Sequence, residues 1–356
     1  MNVFFILRRF ENASGVRLNK QKTKLLGFGA WKDRQLWPVD GITILHESIT
    51  ILGIQYSNNY NKAVSLSWTK IVENIKTKVN LLTIRKFNIY QRAIIINSLV
   101  LSKVWYTSHT YPLSCDQAKC MEKFIFPYIW NSKSNPLKRD VMYNKKEAGG
   151  INLLNVFYKA KSIYVNSFLR SFLFSGENES LIKYYCALQL NPLFKIRNLP
   201  VNVSPLTTPY YSSVTATLRA CSKLRKFPNI TSKVIYDFIL LKQPPKVEEK
   251  YSLFNWKTIW KNLAFKCIRS DDRCILFKYL HEILPNNSRL YEIKRKPSPN
   301  CDMCNLEENN LHMMYYCKNK EFTVKYLRGL LQKCFDINNI ISLIKMLFLD
   351  TTGFNK

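Results

Sequence analysis

Apolar residues recur at helical spacing through most of the chain beyond residue 60. The clearest stripe comprises Trp68, Ile71, Val72, Ile75, Val79 and Leu82, which share one face at 3.6 residues per turn. The same periodicity predicts helices over 90–108 and 116–130, where Pro127 marks a kink or an early end. After a Gly149-Gly150 turn it resumes at 151–174, and again at 251–264 and 271–284. These patterns predict a mainly α protein.

The first 56 residues differ because they contain five of the ten glycines and only short apolar runs. A helical stretch at 3–12 precedes Ser14-Gly15, where a glycine suits a helix end. Residues 24–28 predict a strand, and 42–45 with 49–56 predict a hairpin around 46–48. The N-terminus is therefore expected to be a small α+β piece.

Proline, serine, threonine and asparagine are frequent between residues 191 and 250. This composition predicts a linker, with one helix near 232–241. The chain then divides into an α+β piece at 1–56, a helical region at 57–190, a linker at 191–250 and a second helical region at 251–356.

Charge narrows the choice of partner. The chain has 54 Lys+Arg against 24 Asp+Glu, a net charge of +30 and a pI near 9.7, with 47% hydrophobic residues. A folded chain this basic favours a polyanionic partner, most simply nucleic acid. An anionic membrane is less favoured, because the charge is spread along the whole chain. Without a membrane-spanning run or secretory signal, the expected location is nuclear or cytoplasmic, not secreted.

Four residues near the C-terminus form a C-x2-C-x7-H-x4-C pattern: Cys301, Cys304, His312 and Cys317. Three thiolates and one imidazole complete the tetrahedral shell of a structural Zn²⁺ and leave no position for water. The alternative is a set of unrelated core thiols and a surface histidine. Four such residues within 17 positions, in a chain with four histidines, favour zinc.

Catalytic patterns are scarce. Asp271 and Asp272 are adjacent carboxylates, but they follow Ser270 at a predicted helix start, where negative charge is favourable. His281 lies mid-helix and is expected to be a packed or half-exposed residue rather than a ligand. The sequence contains no phosphate-binding glycine loop of the G-x-x-x-x-G-K-[ST] type.

Several segments together resemble the C-terminal portion of the reverse transcriptase of non-LTR (LINE-type) retrotransposons. They are SGVRLNKQKTKLLGFG at 14–29, SITILGIQY at 48–56, the stretch 68–113 that ends in YQRAIIINSLVLSKVWYTSHTYPL, AGGINLLNV at 148–156, and 256–317 with its Cys/His pattern. The resemblance implies, in order, the end of the polymerase palm, a helical thumb and a zinc-binding region. Each motif is moderately specific, and their order adds specificity.

The resemblance also implies a function and a set of contacts. The family's paired catalytic aspartates precede the matching segments, and no residue of this chain stands in for them. We therefore expect no polymerase activity from this chain alone, with Mg²⁺ needed only in the full-length parent. Lys22 corresponds to a lysine near the incoming nucleotide, with a solvated surface lysine as the equal alternative. Expected nucleic-acid contacts are Lys22, Lys24, Arg85, Lys86, Arg92, Lys103, Lys294, Arg295 and Lys296.

Three interpretations follow. The first is a fragment of an RNA-directed DNA polymerase that handles primer–template, element RNA and target DNA. The alternative is a non-catalytic nucleic-acid-binding zinc protein derived from such an element. A weaker third interpretation is a helical scaffold whose charge only keeps it soluble.

Overall fold

A computed structural model describes residues 3–31, 42–45, 47–174, 209–224, 229–240, 243–335, 345 and 348–351. The fold is mainly helical, which confirms the expected class. Its α-helices are α1 (Val3–Ser14), α2 (Tyr60–Leu82), α3 (Ile89–Ile95), α4 (Ser102–Thr107), α5 (Cys115–Trp130), α6 (Arg139–Met142), α7 (Val156–Phe174), α8 (Pro209–Cys221), α9 (Ser232–Ile239), α10 (Lys246–Lys250), α11 (Trp256–Leu263), α12 (Ser270–Leu280), α13 (Asn287–Glu292) and α14 (Glu321–Phe335). Short 3-10 turns occupy Gly29–Trp31, Lys146–Ala148 and Lys318–Lys320, and π-helical turns occupy Ile96–Val100 and His312–Tyr316.

Four short strands follow α1 in two separate pairs. β1 (Lys24–Leu26) is parallel to β2 (Thr43–Leu45), and β3 (Ser48–Ile51) is antiparallel to β4 (Ile54–Ser57). The expected pairing of 42–45 with 49–56 is therefore wrong. The hairpin lies wholly within 48–57, because Leu52 (φ 50°) and Gly53 (φ 84°) form a two-residue turn with positive φ.

The main core forms where α2, α3 and α5 pack together with the segments that follow them. The predicted apolar stripe of α2 is largely buried, and Trp68 is fully enclosed, with its indole N–H donating to the Pro112 carbonyl at 2.9 Å. Asn88 and Ser114 cap α3 and α5 through reciprocal bonds with Gln91 and Gln117. Local capping and apolar spacing therefore agree on these helices.

The predicted single helix over 90–108 is interrupted by the π-helical turn at Ile96–Val100, between α3 and α4. Pro127 does not end α5 early, since the helix continues to Trp130 and stops at Asn131 in a left-handed conformation. A proline near the last turn interferes with few intrahelical hydrogen bonds. The end of α5 is therefore determined by the left-handed conformation of Asn131 rather than by Pro127.

The Gly149-Gly150 turn is a crowded point of the fold. Gly149 has φ +73°, and a Cβ atom on Gly150 would lie 2.1 Å from the Asn144 carbonyl oxygen. Only glycine fits so close to another backbone segment. The chain then runs non-helically to α7, which begins at Val156 rather than at 151, because Ile151 and Leu153 both donate to the Met142 carbonyl.

Within 191–250, the structure describes α8, α9 and α10 where the composition predicted one helix. α9 corresponds to that predicted helix. α8 and α9 pack with α7 in a smaller apolar cluster that includes Phe168, Val214, Leu218 and Ile235. The apolar residues of α8 at 214, 218 and 221 give only a weak helical signal, because prolines and hydroxyl residues surround them. Part of the expected linker, 191–208, lies outside the described residues, and the domain division remains a prediction.

In the part of the chain that the structure describes, none of the helices combines the length and apolar character required to cross a membrane.

Candidate metal centre

The structure brings the side chains of Cys301, Cys304, His312 and Cys317 together. Their ligand atoms all lie within 4.8 Å of one another. Cys301 Sγ is 3.8 Å from Cys317 Sγ, and Cys304 Sγ is 3.1 Å from His312 Nε2. A tetrahedron with metal–sulfur bonds of ~2.3 Å has edges of ~3.8 Å, whereas a disulfide needs ~2.05 Å. The cluster has the composition and approximate dimensions to hold a metal ion.

The site is enclosed by protein. Cys301, His312 and Cys317 are buried, and Cys304 is partly buried. Four protein ligands leave no coordination position for water or substrate, which is the arrangement of structural rather than catalytic sites. Chemically, the cluster can hold together chain segments on either side of a metal ion, but it offers no open position for a reaction.

A tight turn presents the first two sulfur atoms. Cys301 N–H donates to the Leu306 carbonyl at 2.7 Å, and Asn305 (φ 55°) donates back to the Cys301 carbonyl at 3.0 Å. The Leu306 amide hydrogen-bonds to Cys304 and holds the pKa of that thiol below its ordinary value. At Cys301 the Met303 amide also lowers the pKa, but burial and the neighbouring thiols outweigh it and raise the pKa overall.

The other two ligands lie at the two ends of a π-helical turn: His312 is its first residue, and Cys317 directly follows its last residue, Tyr316. The closing bond of this turn runs from Cys317 N–H to the His312 carbonyl at 3.0 Å, spanning five residues. His312 and Cys317 are five residues apart, which is more than one turn of an ordinary α-helix. The wider π turn directs both side chains to the same cluster.

Three asparagines outside the Cys/His pattern attach this segment to the helices before it. Asn286 donates to the side-chain oxygen of Asn310 at 2.6 Å, and Asn310 donates to the Tyr279 carbonyl at 3.0 Å. Asn287 donates to the Asn300 carbonyl at 2.7 Å. All three are buried. Helix capping by Asn286 was predictable from its place before α13, but the long-range bonds carry no sequence signal.

Most of the predicted nucleic-acid contacts are exposed lysines and arginines on separate elements. Lys22 lies in the turn at 19–23, Lys24 starts β1, Arg85 and Lys86 follow α2, and Lys103 lies on α4. Lys294 and Arg295 follow α13 and are also exposed, while half-buried Lys296 pairs with Asp302 at 3.2 Å. Exposed pairs of this kind contribute little to stability. These residues are accessible, and their contacts remain predictions.

Arg92 differs from the other predicted nucleic-acid contacts because its side chain is part of the core, and its contact with nucleic acid stays a prediction that this burial does not favour. Its side chain is buried, with Nε donating to the Phe87 carbonyl at 2.8 Å and Nη1 to the Tyr128 carbonyl at 2.6 Å. The guanidinium also lies 5.3 Å from the centre of the Tyr128 ring. Arg92 therefore joins α3 to α5 inside the core through these two hydrogen bonds.

Asp271, Asp272 and His281, the other candidate residues of the sequence, make structural contacts within the fold. Asp271 accepts from the Asn88 side chain at 2.9 Å, and Asp272 pairs with Arg269 at 3.1 Å, both in the first turn of α12. His281 is packed, as expected. Its Nε2 lies 2.7 Å from the Gly149 carbonyl oxygen, and burial lowers the pKa of His281 to about 4.

A scan of protein-family models found no match for this chain.

Proposed function

We propose that this chain is the C-terminal part of an RNA-directed DNA polymerase of a non-LTR retrotransposon. Its helical region tracks primer–template, and its C-terminal module, residues 286–320, holds Zn²⁺ and contacts RNA or target DNA. The observation that carries the proposal is the convergence of Cys301, Cys304, His312 and Cys317 within 4.8 Å. The resemblance to the retrotransposon family implies a zinc-binding cluster in this C-terminal region. The net charge of +30 agrees with a nucleic-acid partner.

Zinc is the metal that this ligand set fits best. Three sulfur ligands and one imidazole nitrogen favour Zn²⁺ over Mg²⁺ or Ca²⁺, which prefer oxygen. The ion would contribute folding energy, because its ligands come from a turn and a π-helical turn 16 residues apart at their extremes. Bound zinc would thus give the module a fixed shape for contacting a nucleic acid.

The exposed lysines and arginines support binding to the phosphate backbone. Five lysines are exposed, with Lys22 and Lys24 close together at the start of β1 and the other three on separate elements: Lys86 after α2, Lys103 on α4 and Lys294 after α13. Phosphate contacts release condensed counterions, so affinity falls steeply with salt. Such contacts position a nucleic acid without reading its sequence.

The chemistry of phosphoryl transfer would lie elsewhere in the parent polymerase. That reaction needs carboxylates that hold two Mg²⁺ ions. Asp271 and Asp272, the adjacent pair considered from the sequence, are engaged with Asn88 and Arg269 at a helix start. We therefore expect this chain by itself to bind primer–template without extending it.

The test is a salt titration of the whole, zinc-loaded chain. Fluorescence anisotropy would follow binding to a primer–template duplex, a single-stranded RNA and a DNA duplex between about 50 and 500 mM salt. We expect log K to fall linearly with log[salt] with a slope of several units. Negligible binding at ~150 mM salt would contradict the proposal and favour the scaffold interpretation.

The gene distinguishes the polymerase fragment from the non-catalytic alternative. An open reading frame that continues upstream of Met1 and encodes an aromatic-Ala-Asp-Asp turn identifies a polymerase, and the longer protein should extend primers. A stop codon or unrelated sequence there leaves a zinc protein that only binds.

A further inference from the structure

Large aromatic side chains are exposed to solvent on α14 and on the π-helical turn before it. Phe322 is 84% exposed, Tyr326 is 62% exposed and Tyr316 is 54% exposed. Phe322 and Tyr326 are four residues apart, so they are neighbours on the same face of the helix. Exposed apolar clusters of this kind mark interaction sites more often than chance.

This aromatic surface is attached to the candidate metal centre. Tyr315 and Tyr316 lie between the ligands His312 and Cys317, with their rings 4.9 Å apart and perpendicular. The Arg328 guanidinium of α14 donates to the Tyr315 hydroxyl. This hydrogen bond joins α14 to the metal-binding turn.

The same stretch of chain is rich in basic residues. Between residues 318 and 333 the chain has five basic residues, Lys318, Lys320, Lys325, Arg328 and Lys333, and one acidic residue, Glu321. All five basic residues are exposed. Within the described ranges none of the five forms an ion pair. Their charge is therefore free to attract an anionic ligand.

We propose that Tyr316, Phe322 and Tyr326, with Lys318 and Lys325, form a binding surface for single-stranded nucleic acid. Unpaired bases stack on the rings while the lysines contact the phosphates. This inference rests on the proposed function, because it names the kind of nucleic acid that the module selects. It adds α14 to the contacts predicted from the sequence, which ended at Lys296.

The mixture of rings and cations distinguishes this ligand from others. A purely apolar protein partner would leave five exposed cations without anionic complements. A duplex satisfies the cations, but its bases are already stacked and present no free faces to Phe322 or Tyr326. A single strand supplies both phosphates and exposed base faces. The charge complementarity therefore favours a single strand.

The experiment compares affinities of the zinc-loaded full chain for a 20-nucleotide oligouridine and for an RNA duplex of equal length. The double substitution Phe322→Ala/Tyr326→Ala is expected to weaken oligouridine binding at least tenfold, since each stacked base contributes about 1–3 kcal/mol. Duplex affinity should change by less than about twofold. Unchanged oligouridine affinity in the double variant would overturn the inference.

Two further variants separate a lost contact from a lost fold. Phe322→Trp/Tyr326→Trp keeps aromatic faces and should retain oligouridine affinity, with the same zinc content. Leu253→Ala replaces a side chain that is 93% exposed and lies between α10 and α11, and should have no effect. Weak binding by the tryptophan variant as well would contradict stacking.

Other ligands give distinct results. Sedimentation with phosphatidylserine vesicles, or self-association in an ultracentrifuge, would be abolished by the alanine substitutions if a membrane or a second copy covered this surface. Either result, with oligouridine affinity unchanged, overturns the inference and leaves the proposed function standing. A wild-type chain that binds neither RNA probe at ~150 mM salt refutes the proposed function itself.

Discussion

The helical core and the metal module are stabilised in different ways. The core formed by α2–α5 buries large apolar side chains such as Trp68, Ile75, Met121 and Phe126. In the module, residues 286–320, the buried side chains are Asn286, Asn287, Cys301, Asn310, His312 and Cys317. No aliphatic or aromatic residue of this segment is fully buried, and only partly buried Leu311 and Met313 pack against the main core, so the hydrophobic effect contributes less here than in the core.

The difference shows how the two regions depend on each other. The core has the apolar burial that an independently folding unit needs. The module is ordered by its ligand set and by asparagine hydrogen bonds to the core, such as that from Asn310 to the Tyr279 carbonyl. Removing the metal should therefore disrupt the module while the core stays folded.

The largest expected effect comes from Cys304→Ser. Structural Zn²⁺ contributes apparent binding energies of about 10–16 kcal/mol in small modules, and a serine hydroxyl is a poor substitute for a thiolate. We expect loss of bound zinc by elemental analysis and loss of amide-exchange protection over 286–320. Protection of α2–α5 should persist.

Cys267→Ser is the control for that change, because Cys267 is exposed and outside the ligand cluster. Its zinc content and amide protection should match those of the unmodified chain. A Cys304→Ser chain whose module stays protected without zinc would show that the metal is not what holds the module.

A smaller effect, confined to the core, is expected from Gly150→Ala. The new Cβ would lie 2.1 Å from the Asn144 carbonyl oxygen, so the backbone of the turn must move. We expect a loss of about 3 kcal/mol in the free energy of unfolding, measured by urea denaturation with far-ultraviolet circular dichroism. Zinc content should be unchanged if the core and module are stabilised independently.

Gly329→Ala provides a matched comparison, because a Cβ there meets nothing within 4 Å and the residue lies inside α14. This change should stabilise the helix by about 0.5–1 kcal/mol. Equal effects of the two substitutions would contradict the crowding seen at Gly150.

The smallest expected loss of stability is a pH dependence carried by His281. Its folded pKa is about 4, because burial disfavours the charged ring, whereas the ordinary value is 6.5. Between these values the unfolded chain binds a proton that the folded chain does not, so stability falls as pH decreases. The expected loss between pH 7 and pH 5 is about 2 kcal/mol.

Urea denaturation of the unmodified chain and of His281→Gln at both pH values measures this contribution. The variant lacks the titrating ring, so its stability should fall less on acidification. Protonation of the metal ligands affects both chains equally and cancels in the difference. The same pH dependence in both chains would exclude His281 as its source.

Local patterns predicted much of the candidate site and part of the fold. The four ligands were identified from their C-x2-C-x7-H-x4-C spacing alone, since all four lie within 17 positions of the chain. The stripe on α2 was likewise predicted, because helical periodicity is independent of what packs against it. The start of α7 and the break at Ile96–Val100 were not, because distant carbonyls and π-helical bonding determine them.

The sequence by itself determined the mainly helical class, the basic character of the chain and the composition of the ligand cluster. Tertiary structure decided that Arg92 is a core residue, that β2 pairs with β1 and that Asn310 joins the module to α12. The physical reason is the separation along the chain between the residues that determine each feature. Helical periodicity and ligand spacing depend on neighbours within a few turns, whereas burial and long-range hydrogen bonds depend on partners far along the chain.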